Sequence, residues 1–258
     1  MRDPQAGFSL SPDATAAGYR LAGLETVAST NSLAMQHARD GAPDRLWVVA
    51  REQTKGRGRR GRLWQCAKGN LAASVLMHME AGTREAALTG FVAGVAVART
   101  IWEFQSTGDE RVKLKWPNDL LYKGAKLGGI LLEAQTLSSK QMALVVGFGI
   151  NVAHSPEGLP YATTSLHDMG LSVSPEIVFS VLSTHWAECL NIYSGKTGQA
   201  DILCEWRSCA TGIGEPVRVA APQGEITGIF ETIDDEGRLI VHTMSGNRIP
   251  VTAGDVSF

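Results

Sequence analysis

The chain has 258 residues, 44% of them hydrophobic and 19% charged, with a formal net charge of −2. That is ordinary globular composition with length for a sizeable core, and the near-zero charge speaks against a general polyanion binder. Cys66, Cys189, Cys204 and Cys209 form no C-x-x-C pair, the histidines lack metal-ligand spacing and no secretion signal opens the chain. The cysteines therefore read as reduced thiols of a cytoplasmic protein.

Residues 1–18 are small, polar and turn-rich, and they read as a flexible arm. A strand is expected over 19–27. Ser29-Thr30-Asn31 then offers helix-capping chemistry, and Asp40-Gly41 offers a stop. Strands follow at 46–50 and 71–79, then a helix over 84–104 whose Ala- and Val-rich stretch fits a buried core helix better than a membrane span. A strand over 111–116 breaks at Pro117-Asn118-Asp119. A hairpin turning at Lys123-Gly124 returns through 127–134, and an apolar strand covers 143–152. Ser174-Pro175-Glu176 starts a helix with a capping serine and a proline in its first turn. Ile177, Val181, Leu182, Trp186 and Leu190 form its expected apolar stripe, and another helix covers 200–209. From Gly212 onward short alternating strands at 216–220, 225–233, 238–243 and 247–251 predict a small β barrel or sandwich after a mixed α/β body.

Four segments carry chemistry. Gly56-Arg57-Gly58-Arg59-Arg60-Gly61-Arg62 puts four guanidiniums on a backbone loosened by three glycines, which suits a small anionic ligand. Its G-x-G-x-x-G spacing fails as a dinucleotide fingerprint, because Lys68-Gly69-Asn70 interrupts any helix that would open there. No Gly-Lys-Ser/Thr follows, so it is not a P-loop either. Standing alone it would also fit a solvated basic loop. In Lys115-Trp116-Pro117-Asn118-Asp119, Lys115 can neutralise phosphate and Asp119 can hold Mg2+ or accept a proton; taken alone, this is an ordinary turn. Lys126-Leu127-Gly128-Gly129-Ile130 sets a lysine beside glycine backbone, where a solvated surface is the plain alternative. Gly147-Phe148-Gly149-Ile150-Asn151 is a strand thinned for close approach or merely bulged. Trp64 offers a face to a base or to the core.

In this order, with Ser29-Thr30-Asn31 and Gln53 ahead of the loop, the segments resemble the biotin protein ligases, also called biotin–[acetyl-CoA-carboxylase] ligases, over nearly the whole chain from Tyr19. The resemblance implies an α+β fold: a mixed-sheet catalytic domain of the class II synthetase/biotin–lipoate ligase type over 19–210, and a small SH3-like β-barrel over 211–258. It implies activation of biotin by ATP to biotinyl-5′-AMP, then transfer to a lysine of a biotin carboxyl carrier domain. Mg2+ accompanies ATP, and no tightly bound prosthetic group is expected. By family match Ser29, Thr30, Asn31, Gln53, Arg57, Gly58, Arg59 and Lys126 bind biotin, with Lys126 and Arg59 at the reacting centre. Arg60, Arg62, Trp64, Lys115, Asn118, Asp119 and Asn151 match the ATP side, and Asp119 the metal. The chain looks like the shorter ligase-only class, so neither DNA nor a membrane is an expected partner; a homodimer is left open. The loop is expected to be mobile when empty and to close over the adenylate. Lipoate–protein ligase is the nearest rival, and an RNA-binding module the rival from another class.

Overall fold

The computed structural model describes residues 5–80, 83–106, 110–222 and 224–258. Seven strands form one mixed sheet: β1 (Arg20–Val27), β2 (Leu46–Gln53), β3 (Leu71–Glu80), β4 (Lys113–Lys115), β5 (Asp119–Tyr122), β6 (Ala125–Thr136) and β7 (Gln141–Ile150). Their order is β1-β2-β3-β7-β6-β5-β4. Only β1 and β2 run parallel; every other neighbouring pair is antiparallel.

The crossover between the parallel strands contains a helix, α2 (Thr30–Arg39), which follows the short α1 (Pro12–Ala16). Small residues Ala34 and Ala38 let α2 lie close on one face of the sheet, against Val48, Leu76, Ala143 and Val145. The opposite face carries α3 (Thr83–Trp102), α4 (Pro175–Tyr193) and α5 (Gly198–Cys209), and with them the main core. The apolar stretch of α3 is buried there, as its composition suggests.

Two expectations are corrected. Residues 5–18 are not a free arm, although residues 1–4 lie outside the described residues. Ser11 caps α1 through Ala14 N–H, and its own N–H donates to Ser183 of α4 at 3.0 Å. Phe8 is buried edge-on against Phe179 at 5.8 Å. The few apolar residues here follow no period, so the sequence does not advertise that they meet a helix far along the chain. On α4 the buried stripe is Val178, Phe179, Leu182, Trp186 and Cys189, while Ile177 is 53% exposed. Phe179 and Trp186 belong to an aromatic cluster with Trp47 and Phe148, with ring centroids 5.4–6.1 Å apart. Burying those rings sets the helix rotation at the expense of Ile177.

The second sheet is wholly antiparallel: β8 (Pro216–Ala221), β9 (Gly224–Ile233), β10 (Leu239–His242), β11 (Arg248–Val251) and β12 (Asp255–Ser257), in the order β11-β10-β9-β8-β12. This matches the small SH3-like unit and keeps the fold class α+β. β12 was not foreseen, since three residues with one buried apolar side chain carry no readable alternation. The two sheets are tied together. Trp116 Nε1–H donates to Gly237 O at 3.0 Å, and Thr211 N–H donates to Leu114 O at 2.9 Å.

Candidate active site

A cavity of about 310 Å3 opens between the N-terminus of α2, the basic loop, the Lys115–Asp119 turn and β12. Every residue expected at the site lines it except Arg60 and Asn151.

Its floor is a closed polar network. Thr30 N–H and Oγ1–H both donate to Gln53 Oε1, at 2.8 and 3.1 Å. Ser74 Oγ lies 2.7 Å from Thr30 Oγ1 and 2.6 Å from Asn31 Oδ1. Asn31 Nδ2–H donates to Glu133 Oε2 at 2.8 Å. Ser29 caps α2, accepting from Ser32 N–H. Asn31 can reach this depth because Gly147 has no side chain: a Cβ there would lie 2.1 Å from Asn31 Oδ1. The amide and hydroxyls thus form a pre-set polar surface, suited to a neutral ring with donors and an acceptor.

The basic loop is not open chain in this structure. Gly58 N–H donates to Arg62 O at 2.7 Å and Trp64 N–H to Gly56 O at 3.0 Å, making a narrow hairpin. Arg60 and Gly61 turn its tip at φ 55° and 73°. Trp64 then lies flat on β7, where a Cβ on Gly149 would sit 2.4 Å from its indole. The four guanidiniums go to three places. Arg57 is taken up by Glu133 and Ser32. Arg59 points inward and donates to Asn118 Oδ1 and Gly254 O, both at 3.3 Å. Burial pulls its pKa below the usual guanidinium value, leaving it cationic. Arg60 is exposed, turned out of the cavity, and pairs with Asp255 at 3.1 Å. Arg62 pairs with the same carboxylate. Burial pushes Asp255 upward, but Arg62, Arg60 and Arg59 together outweigh it and hold the carboxyl below its usual value.

On the facing wall Lys126 Nζ lies 2.6 Å from Asp119 Oδ1, with the rings of Trp64 and Tyr161 at 5.8 and 5.7 Å. Asn118 is fixed by donating to Ile130 O at 2.7 Å. Lys115 lies over the Phe258 ring, and burial lowers its pKa. Asn151 differs from expectation. It is 1% exposed behind the wall, where Nδ2–H donates to Thr164 O at 3.0 Å and Oδ1 lacks a partner. Ser74, Glu133, Tyr161 and Asp255 are members or supports of the site that sequence reasoning missed. No local pattern marks them, because each meets its partners only through long-range packing.

No group of three His, Cys, Asp or Glu suited to a metal exists among the described residues. Of the two carboxylates that line the cavity, Asp255 is paired with Arg60 and Arg62, and Asp119 lies beside Lys126 on the facing wall. That suits Mg2+, which takes one or two carboxylates together with substrate phosphates.

The profile of the Biotin/lipoate A/B protein ligase family matches residues 23–151, and that of the Biotin protein ligase C terminal domain matches 212–258. The chain is 36% identical over 244 residues to the biotin–[acetyl-CoA-carboxylase] ligase of Paracoccus denitrificans, spanning 91% of this chain and 99% of that one. It is 32% identical over 263 residues to the ligase of the same name from Mycobacterium tuberculosis, spanning 99% and 96%. Among solved structures, the biotin protein ligase from Aquifex aeolicus in complex with biotin and ATP matches with a TM-score of 0.76 at 26% identity, covering 92% of this chain and 97% of that one. Sequence similarity spans both sheets, the architecture agrees, and this chain belongs to the Biotin/lipoate A/B protein ligase family.

Proposed function

We propose that the protein is an ATP-dependent biotin–protein ligase, acting on a lysine of a biotin carboxyl carrier domain such as that of acetyl-CoA carboxylase. One observation carries the reading. A neutral polar pocket, made by Thr30, Asn31 and Gln53 and backed by buried Ser74, opens into the same cavity as Arg59, Arg62, Lys115 and Lys126. A ureido ring fits the first part, and a carboxylate meeting a triphosphate fits the second.

Two anions must approach each other, which costs Coulomb energy that the cationic wall offsets. Lys126 and Arg59 both line this part of the cavity, held beside Asp119 and Asn118. They neutralise the carboxylate and the charge that develops as its oxygen attacks the α-phosphorus. The bond to pyrophosphate breaks and biotinyl-5′-AMP remains. Trp64 offers its face to the adenine. In the second step a carrier lysine, entering as the free amine, attacks the acyl carbon; AMP leaves and the amine proton passes to solvent. Mg2+ held at Asp119 would shield the phosphate charge during the first step. The hairpin loop keeps water from the mixed anhydride between steps. Four free thiols, with Cys66, Cys189 and Cys209 buried and Cys204 exposed, fit a cytoplasmic home.

The test is incubation with biotin, MgATP and a carboxyl carrier domain, read by intact mass. A single biotin added to the carrier is expected, with ATP dependence. Transfer of lipoate in its place, or no transfer, overturns the reading.

A further inference from the structure

Granted the biotin-ligase reading, we infer that Glu133 is a positioning residue for biotin: one carboxylate outside the cavity that holds both the pocket amide Asn31 and the loop root Arg57. Glu133 projects from β6 on the same face as Leu131, which lines the cavity, but does not line it itself. Oε1 accepts from Arg57 Nε and Nη2 at 3.2 and 2.9 Å. Oε2 accepts from Arg57 Nη2 at 2.9 Å and from Asn31 Nδ2 at 2.8 Å. The last guanidinium nitrogen, Nη1, donates to Ser32 Oγ.

Geometry separates this contact from an ordinary surface ion pair, which contributes little. The pair is a bidentate fork with both side chains about one-third exposed, at 35% and 32%. Its second oxygen serves an amide on a residue only 4% exposed. Asn31 is thereby fixed at both ends. Its Oδ1 faces Ser74 Oγ, and its Nδ2 faces Glu133 and Leu131 O, so the amide cannot flip within the pocket. The same carboxylate keeps Arg57 occupied. The substrate carboxylate is thus left to Lys126 and Arg59, and Arg57 serves as the anchor on which the hairpin pivots. Every group facing Glu133 is a donor. An amide in its place would turn its own N–H groups toward at least one of them.

Adenylate formation by Glu133→Gln tests this, followed as pyrophosphate release with biotin and ATP varied separately. The KM for biotin is expected to rise roughly tenfold, with kcat and the KM for ATP within about twofold of wild type, the pattern of lost uniform binding to one substrate. Glu133→Asp keeps the charge but is one methylene short of spanning both partners. It is expected to fall between the two, and it carries the same test if the glutamine variant does not fold. A biotin KM within twofold of wild type overturns the role. So does a parallel rise in both KM values with a lowered thermal midpoint, which marks a merely structural contact. A wild-type protein that releases no pyrophosphate with biotin overturns the ligase reading itself.

Discussion

Lys126 Nζ sits 2.6 Å from Asp119 Oδ1 across the cavity wall, so the ammonium expected at the reacting centre is held in place before any substrate arrives. Its backbone is pinned as well, by Lys126 N–H to Ala162 O and Thr164 N–H to Lys126 O. Lys126→Ala removes the charge without disturbing either bond. Adenylate formation is expected to fall by about 100-fold or more, with the thermal midpoint nearly unchanged. Pyrophosphate release near the wild-type rate would contradict the assignment.

Asp255 reaches from the second sheet to Arg60 and Arg62. With Asp255→Asn, Arg59, Arg60 and Arg62 stand close together without a counter-ion. The hairpin is then expected to open more often. Trypsin cleavage between residues 55 and 62 of the substrate-free protein is expected to accelerate roughly three- to tenfold. Biotin plus ATP restores protection, because the phosphates supply the missing charge. Equal cleavage rates in variant and wild type would show that Asp255 does not hold the loop.

Gly147→Ala brings a methyl carbon to within 2.1 Å of Asn31 Oδ1. Asn31 must swing away from Ser74 and Glu133, and the pocket loses its fixed amide. Calorimetry is expected to show biotin binding weakened by about 10- to 100-fold, with a stability loss of ~1–3 kcal/mol from overpacking. Undiminished affinity would place the ring elsewhere in the cavity.

Burial lowers the pKa of Lys115, with Asp119 opposing the shift and Lys126 adding to it. The ammonium is present below that lowered value and lost as pH rises through it. The KM for ATP is therefore expected to climb on the alkaline side at a lower pH than an ordinary lysine would dictate. Lys115→Arg moves this limb to higher pH. Coincident limbs for the two proteins would remove Lys115 from phosphate binding.

Most strands and helices follow from apolar period and turn chemistry, which are local. Ser29 caps α2 and Ser174 caps α4 as their positions indicate, because a cap needs only the next three residues. The pocket members Thr30, Asn31 and Gln53 were legible only as part of an ordered set of motifs. What the sequence hid is long-range. Asp255 meets residues 193 and 195 positions away, Glu133 meets Arg57 76 positions away, and Phe8 meets Phe179. A lone acid or a lone phenylalanine has no period, so nothing in its neighbourhood marks it. Ile177 shows the converse. Helical spacing alone admits it to the core, and only the competing rings of Phe179 and Trp186 turn it outward.

The placement of Asp255 also orders events in time. The polar pocket, the arginine hairpin and Lys126 are all synthesised more than a hundred residues before the carboxylate that settles the hairpin. Until the last few residues are made, the arginines of the hairpin lack this carboxylate. In the substrate-free protein the hairpin gains that counter-ion only where β12 is paired with β8, so the second sheet's final strand sets the resting charge of the loop.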